Sequence, residues 1–495
     1  MIYTDVLICG TGAAGLTLAI ELARRNIEFR LIDKSPEPFR GSRGKGLQPR
    51  TLEVFDDLGI VDRIAAAGGF YPLQREYVAG GFEDKAIMEH RDATSAEPYP
   101  MIRMLPQFLT EGIMRDRLAE LGHQAFFGEE LVAFSQDDDG VLATVRRNGR
   151  DETIRARYLI GCDGGRSFVR HALDIGFPGT TLGVRAVVAD LRMEGLNRDV
   201  WHRWSEKGQI AICPLAGTDL MQLQGPVPME GDVDLSIDGL SRLIAERTGR
   251  SDLVIRYIHW ASVFLMNARL ADRYRQGRVL LAGDAAHIHP PTGGQGLNTS
   301  IQDSYNLGWK LAAALNDAPD TILASYEAER RPVAAEVLGL STRLLDAAKQ
   351  GDAMRRGRET HQLDLGYPDS PLSLACNIPG CPVSAGDRAP DAVCRGAAGQ
   401  PLRLFDLFRG PHWTLLSLDA PAIGARPGLH VHMIGPHDEI SDPDGNIGSA
   451  YGGSAGWILV RPDGYIAATV APHDRAKLEA HLDQVVLARE ATDLP

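Results

Sequence analysis

Cysteine is scarce and unpatterned in this chain. Six cysteines are spread over 495 residues, at Cys9, Cys162, Cys213, Cys376, Cys381 and Cys394, and none forms a Cys-x-x-Cys pair. That spacing excludes a disulfide-stapled secreted scaffold and argues against thiol–disulfide redox chemistry. Cys9 and Cys162 fall inside apolar runs and read as buried small hydrophobes. No apolar run approaches the ~18 residues that cross a bilayer, so no membrane partner is expected. No basic leader runs into an apolar stretch and a cleavage site, and a cytoplasmic protein is expected. Positive charge is in short supply: 52 Lys and Arg stand against 65 Asp and Glu, a net charge of -13 with a pI near 5.6. Such a chain repels phosphate backbones, so nucleic acid is not an expected partner. The longest acidic run, Asp137-Asp138-Asp139, is followed by Gly140 and reads as a solvated turn. Internal repeats and low-complexity tracts are also absent.

What remains is ordinary globular material, 44% hydrophobic and 24% charged, long enough for two or three domains. Thr4-Asp5-Val6-Leu7-Ile8-Cys9 reads as a strand ending in glycine. A helical pattern follows with Leu16, Ile20 and Ala23 on one face, and Ile27 to Ile32 reads as a second strand. The unit has the β-α-β length of about 30 residues. Its turn is Gly10-Thr11-Gly12-Ala13-Ala14-Gly15, a G-x-G-x-x-G sequence between strand and helix, the context that makes the motif a dinucleotide cradle. Gly10 permits the tight turn, Gly12 lets a pyrophosphate approach the backbone, and Gly15 lets helix and strand pack closely. Asp33, ending the second strand, is placed to bind a ribose hydroxyl.

The motif does not choose between NAD and FAD; the downstream sequence does. No second G-x-G-x-x-G unit is present, so one dinucleotide has a dedicated cradle. Two further strand-then-glycine signals are Tyr158-Leu159-Ile160-Gly161-Cys162-Asp163-Gly164-Gly165 and Val279-Leu280-Leu281-Ala282-Gly283-Asp284. The second runs on through His287-Ile288-His289-Pro290-Pro291-Thr292-Gly293-Gly294-Gln295-Gly296-Leu297-Asn298. An acid at a strand end, a glycine-rich loop and a helix start suit a ribityl chain and an isoalloxazine ring, whose negative charge on reduction the helix dipole would stabilise. His287 and His289 lack further ligands at metal-site spacing, and no metal is expected.

Between about 180 and 265 the pattern turns to short β-like runs with tryptophans, read as a mostly antiparallel sheet inserted into the α/β domain. From about 295 to 350 it is helical. Residues 364–390 are rich in Pro, Gly and Ser and read as a linker. A terminal unit follows, with Trp457-Ile458-Leu459-Val460 and Ile466 flanking a Pro462-Asp463-Gly464 turn as a hairpin and a last helix over 475–487.

Three ordered motifs, at Gly10–Gly15, at Asp163-Gly164 and at Gly283-Asp284 with its tail through Asp303 and Trp309-Lys310-Leu311, make the chain similar to the class A flavoprotein monooxygenases, the para-hydroxybenzoate hydroxylase-like group. The resemblance implies a Rossmann-type FAD-binding domain over 1–75, 100–180 and 270–365 and a substrate-binding sheet domain over 76–99 and 181–269. It further implies a linker over 366–382 and, as in the longer members, a thioredoxin-like domain over 383–495. Asp33 and Lys34 would meet the adenosine end. Arg43 and Gln107 would face the cofactor, Leu131 the adenine through its backbone, and Asp163 the pyrophosphate region. Asp284 would bind ribityl oxygens, Gly294 and Gly296 would shape the flavin loop, Leu297 and Asn298 would hold the pyrimidine edge, and Pro290 would sit beside the oxygen chemistry. The implied reaction uses NADPH or NADH to reduce FAD, and O2 then forms a C4a-hydroperoxide that hydroxylates a phenol-like or polycyclic aromatic substrate. Epoxidation or Baeyer–Villiger oxidation of a polycyclic natural product would use the same fold, and a non-catalytic flavin-binding module is the reading from another class.

The base that would ionise a phenol is not fixed by the resemblance. His202, Arg203 and His259 in the inserted sheet are candidates, each with a structural alternative. Trp201, Trp204 and Trp260 suit an aromatic pocket or plain core packing. Lys45 suits the substrate mouth or an open surface. The terminal unit lacks the redox Cys-x-x-Cys, which points it toward packing or homodimer contacts.

Overall fold

The computed structural model describes all residues except 207, 291–292, 351–356 and 487–495. Its first layer is a sheet whose core is parallel, in the order Val279–Leu281, Arg150–Gly161, Ile2–Cys9, Phe29–Asp33, Ala125–Phe127. Val6, Leu7 and Ile8 are all fully buried, as a strand covered on both faces requires. The hairpin Glu129–Gln136 and Val141–Arg147 extends one end of Arg150–Gly161 in antiparallel pairing. The helix Ala13–Ala23 is buried on every side, Thr17 and Glu21 included, instead of along the Leu16–Ile20–Ala23 face alone. It lies between the sheet and the helices Gln107–Glu120 and Gly296–Leu315, and Arg24 and Arg25 neutralise Glu21.

The second layer is an eight-stranded sheet ordered His287–Ile288, Val254–Leu270, Gly179–Glu194, Met221–Val227, Ile210–Pro214, Val200–Trp204, Leu73–Val78, Gly81–Lys85. Pairing is antiparallel except between Val200–Trp204 and Leu73–Val78. The sheet thus begins at Leu73 and recruits His287–Ile288, beyond the expected limits of 76 and 269. Short edge strands join by backbone pairing and carry little apolar signal to announce them. Period-two alternation gives the sheet two distinct faces. Val187, Ala189, Leu191, Ile212 and Leu223 pack with Leu240 and Ile244 of the helix Ile237–Thr248. The opposite face meets the loop over 41–47, which the small ladder Gly46–Leu47 with Arg103–Met104 helps to hold.

The terminal unit has a seven-stranded sheet in which Trp413–Leu418 lies parallel to Leu429–Ile434 and antiparallel to Gly456–Val460. The expected hairpin is present, Gly456–Val460 with Ile466–Val470, and Gly464 has φ +75°. Its Pro-Asp-Gly turn, a sequence that usually caps a solvated hairpin, is instead driven into the first domain. Asp463 is fully buried and accepts from Trp309 Nε1 at 3.0 Å and Asn306 Nδ2 at 3.1 Å. Arg461 forks onto Glu329 with two 2.8 Å bonds, and Lys310 Nζ reaches the same carboxylate at 2.5 Å. Burial alone would raise the Glu329 pKa, but Arg461 and Lys310 outweigh it and hold the group ionised. The stretch 366–382 is also less of a linker than its composition suggests. Tyr367, Leu372, Cys376 and Ile378 are buried, and Leu374 bridges to Ala468. The final helix runs Arg475–Val485; Leu487 lies outside the described residues.

Candidate functional site

The groove begins where Ile2–Cys9 turns into Ala13–Ala23. Gly10 has φ +108°, and a Cβ there would stand 2.2 Å from the Cys162 carbonyl oxygen. A Cβ on Gly15 would come within 1.9 Å of the Gly10 oxygen. Gly12 is different: its added Cβ would meet only Glu111 Oε1, at 3.7 Å. The protein itself does not demand glycine there. A bare Gly12 keeps space open before the helix-start amides of Ala13 and Ala14, as an approaching diphosphate requires. Asp33 accepts from the Thr11 amide and hydroxyl, both at 2.9 Å, and from the Ser35 amide at 2.9 Å, with Lys34 exposed beside it. Asp163 takes the Val169 amide on one oxygen at 3.1 Å, while its Oδ1 is buried with no hydrogen-bond partner. An open buried acceptor suits a donor on a bound molecule.

Gly283, at φ +63°, sits so close to the first turn of Ala13–Ala23 that a Cβ would lie 3.0 Å from Ala14 Cβ. The turn Gly283–Ala285 thereby sets Asp284 beside the glycine loop. The Asp284 side chain touches solvent, yet burial among surrounding protein raises its pKa, against the pull of His287 and Arg43. Farther along, Asn298 fastens the glycine-rich loop before Gly296–Leu315: its Nδ2 donates to Gly294 O at 2.7 Å and Gly46 O at 2.9 Å, and its Oδ1 accepts from the Gln48 amide at 2.8 Å. Its side chain therefore shapes the loop, leaving backbone groups to face a ligand. Nothing lies within 4 Å of a Cβ built on Gly296, at the open start of the helix Gly296–Leu315. Leu297 packs on Gly44, Pro290 is buried before the undescribed 291–292, and Leu131 is buried in Glu129–Gln136. Arg43 is exposed and spans the Phe39 ring at 5.1 Å and the Trp260 ring at 5.9 Å.

Gln107 links two walls of this groove. Its Oε1 accepts from the Gly44 amide at 3.2 Å and its Nε2 donates to Glu111 Oε1 at 2.8 Å. Glu111 had drawn no attention in the sequence, although its i,i+4 spacing from Gln107 on one helix was a usable signal. Burial beside the glycine loop lifts its pKa to about 7, against the hydrogen bond from Gln107, the charge of Arg115 and the Ala13 amide.

His287 and His289 belong to a buried chain. His287 Nε2 meets Asp303 Oδ2 at 2.5 Å, His289 Nε2 meets His287 Nδ1 at 2.9 Å, and Arg330 Nε donates to Asp303 Oδ1 at 2.8 Å. Among the described residues no group of three or more His, Cys, Asp or Glu is arranged to hold a metal.

The sheet face toward the loop over 41–47 carries a cross-strand row of Cys213, Gln222, Asp190 and Trp260, in register across three strand pairings, with Trp201 on the same face of the next strand because its neighbour His202 pairs with Ile212 on the other. His259 lies in the bulge beside it, packed on Phe108 at 5.1 Å with its Nε2 buried and unpartnered. His202 and Trp204 point to the opposite face, stacked with Tyr77 at 5.8 and 4.4 Å. Both His202 nitrogens are taken, by Tyr77 OH at 2.9 Å and Asn197 O at 2.7 Å. The geometry therefore turns His202 away from the loop over 41–47. Arg203, on the groove-side face, pairs with Glu76 at 3.5 Å.

Comparison with known proteins decides the class. Residues 3–341 match the family model for an FAD binding domain, and residues 383–487 match that for the C-terminal domain of aromatic-ring hydroxylases. This chain belongs to the FAD-dependent aromatic-ring hydroxylases. A flavin-dependent monooxygenase of Mycobacteroides abscessus is 42% identical over 477 residues, covering 93% of this chain and 96% of the relative. An anhydrotetracycline monooxygenase of Streptomyces rimosus is 33% identical over 94% of this chain and 95% of its own. Among solved structures, the flavin-dependent monooxygenase PieE, in complex with FAD and substrate, aligns with TM-score 0.83 at 26% identity, covering 98% of this chain and 99% of that one. As a member of this hydroxylase family the chain is a flavin-dependent monooxygenase, with its FAD binding domain over residues 3–341. No helix among the described residues is long and apolar enough to cross a membrane.

Proposed function

We propose that this hydroxylase uses NADPH or NADH and O2 to hydroxylate a phenol-like or polycyclic aromatic substrate held between the flavin groove and the sheet face bearing Trp201, Gln222, Asp190 and Trp260. One observation carries the reading. The sheet turns an aromatic and hydrogen-bonding row, not its apolar face, toward the loop that closes the groove. FAD, when bound, supplies the electron transfer and oxygen activation. The chain's own residues do the rest. Gly10, Gly12, Ala13, Ala14 and Gly15 cradle the diphosphate; Asp33 and Lys34 flank the adenosine end, with Leu131 near the adenine. Asp163 offers its open oxygen to the same region, and Asp284 holds the sugar-alcohol chain. Gly294, Gly296, Leu297 and Asn298 present backbone amides to the ring, and Pro290 closes its edge. Arg43 and Gln107 hold the loop between cofactor and substrate, and that loop with the sheet excludes water.

Relatives named for tetracycline and aklavinone chemistry favour a polycyclic substrate over a single ring. The parallel pair and antiparallel hairpin of the terminal unit suit a thioredoxin-like fold. Its buried Arg461–Asp463 turn assigns it a docking role, without thiol chemistry. The test follows NADPH and NADH oxidation by FAD-loaded protein with a panel of phenols and polycyclic aromatics, with peroxide and oxygen-18 incorporation measured together. Ligand-stimulated oxidation with one labelled oxygen on an aromatic carbon is expected. Label in a ring-expanded lactone would favour Baeyer–Villiger oxidation, and absence of flavin reduction under every ligand would refute the enzyme reading.

A further inference from the structure

Lys45 occupies the seam between the two layers, and its surroundings give it more than a surface role. The backbone around it is tied to the cofactor side: Lys45 O accepts from the Leu105 amide at 2.8 Å, Gly44 O from the Gln107 amide at 2.9 Å, and Gly46 O from Asn298 Nδ2 at 2.9 Å. The side chain goes the other way, onto the sheet. Lys45 Nζ donates to Gln222 Oε1 at 2.6 Å and stands 4.4 Å from the centre of the Trp201 ring. Tyr71 packs on that same ring at 5.2 Å.

The orientation of Gln222 is determined by what lies beneath it. Asp190 is fully buried in the middle of the sheet and accepts from the Ser42 amide at 2.9 Å and from the Ser42 hydroxyl. The single hydroxyl proton of Ser42 is thereby spent on Asp190. Gln222 Nε2 then donates to Ser42 O and Ser42 Oγ, which only an NH2 group can do. Its Oε1 must point outward, where it takes Lys45 and, at 2.5 Å, Gln224 Nε2. The buried acid thus fixes a hydroxyl, the hydroxyl fixes an amide, and the amide fixes an ammonium over an aromatic face.

We propose that Lys45, positioned by Asp190, Ser42 and Gln222, binds the ionised oxygen of a phenolic substrate whose ring lies along Trp201 and Tyr71. This rests on the monooxygenase reading above and deepens it by naming the substrate's recognised group as a phenolate. A cation half-buried at the seam favours the charged form of a nearby phenol, so the bound phenol releases its proton to water more readily than the free one. A phenolate ring is the electron-rich partner that an electrophilic oxygen requires. Among the described residues the titratable groups along this row are Asp190, His259, Cys213 and the Arg203–Glu76 pair, with Arg43 and Tyr71 at its rim and Arg192, paired with Asp219, two residues beyond Asp190. Asp190 is turned inward onto Ser42 and the Arg203 charge is shared with Glu76, while the Lys45 ammonium is held by Gln222 over the Trp201 ring.

The test uses full-length, FAD-loaded protein with 4-nitrophenol and 2-naphthol as probes. The absorbance of the bound phenolate is followed between about pH 5 and 9 in the wild type, Lys45→Met and Lys45→Arg. The wild type is expected to raise the bound phenolate-to-phenol ratio about tenfold over the free probe at a given pH. Lys45→Met should return it to the free value with FAD content unchanged, and Lys45→Arg should keep most of it. A Lys45→Met protein that retains the tenfold ratio, or a wild type that shows none, overturns the proposal. So does a Lys45-dependent site that takes 4-nitrobenzoate in preference to both phenols. Labelled product is measured in the same samples. Product with an unchanged ratio in Lys45→Met sinks the Lys45 role and leaves the monooxygenase reading standing, whereas no product from the wild type with any phenol sinks that reading.

Discussion

Glu111 gives the sharpest prediction. Its carboxyl is buried against the glycine loop and titrates near 7 instead of 4.5. Burial is the leading cause, and the Gln107 hydrogen bond, Arg115 and the Ala13 amide recover only part of the loss. Because the folded value lies above the unfolded one, the folded state binds the proton more tightly. The associated stability is fully present below about pH 4.5 and is lost as pH rises to about 7. A difference of about two and a half units at 1.36 kcal/mol each amounts to about 3 kcal/mol. Glu111→Gln keeps the hydrogen-bonding shape and removes the charge. The wild type should therefore lose about 3 kcal/mol relative to the variant between about pH 4.5 and 8, read as the difference in urea unfolding of the FAD-free proteins. FAD provides a second readout, since the Glu111 carboxylate stands 3.7 Å from a Cβ built on Gly12, beside the proposed diphosphate cradle. FAD affinity of the wild type should rise about tenfold on acidification through pH 7, equivalent to about 1.4 kcal/mol, and that of the variant should stay flat. Parallel pH profiles for the two proteins in both assays would refute the argument.

The glycines of the loop should separate fold from ligand. Gly10→Ala, with its 2.2 Å clash and φ of +108°, is expected to destabilise the apoprotein by at least about 3 kcal/mol in urea unfolding. Gly12→Ala should leave that stability within about 0.5 kcal/mol and weaken FAD binding at least about tenfold by fluorescence titration. Arg461→Met removes the cation shared by buried Glu329 and Asp463, leaving Lys310 on the one and Trp309 and Asn306 on the other, and should cost about 3–5 kcal/mol, measured as a lowered unfolding midpoint of the terminal unit. His202→Gln should lower stability by about 1 kcal/mol through its lost hydrogen bonds and leave the pH profile of kcat/KM unchanged; a shifted profile would return His202 to the site.

Much of the cofactor half is local and was therefore legible in the sequence. A glycine turn between strand and helix carries its own conformational demand: Gly15 is required by the Gly10 carbonyl five residues away, whereas the clashes that exclude a side chain at Gly10 and Gly283 are with Cys162 and Ala14 on distant segments, and only their positive φ is local. The acid at the end of a strand and the glycines before Gly296–Leu315 are read the same way, because the helix start and the strand edge are properties of adjacent residues. The parallel core and the hairpin around Gly464 followed from runs of apolar residues and from turn chemistry.

What the sequence left undecided depended on contacts between distant segments. His202 and Trp201 are neighbours in the chain, yet pleat alternation sends one to the apolar face and the other to the groove, and only the pairing with Ile210–Pro214 and Leu73–Val78 fixes which. Asp190 sits in an apolar strand where an acid has no local reason to be. Its reason, Ser42, lies 148 positions away in the chain. The Pro-Asp-Gly turn has every local mark of solvent exposure and becomes a buried plug because Trp309, Glu329 and Lys310 of another domain supply charges and donors that match it. Local sequence marked the glycine turn between Ile2–Cys9 and Ala13–Ala23, whose positive φ at Gly10 is a property of adjacent residues. The substrate face and the seating of the terminal unit were decided by tertiary structure, since a buried charge or amide is oriented by partners that only folding brings within reach.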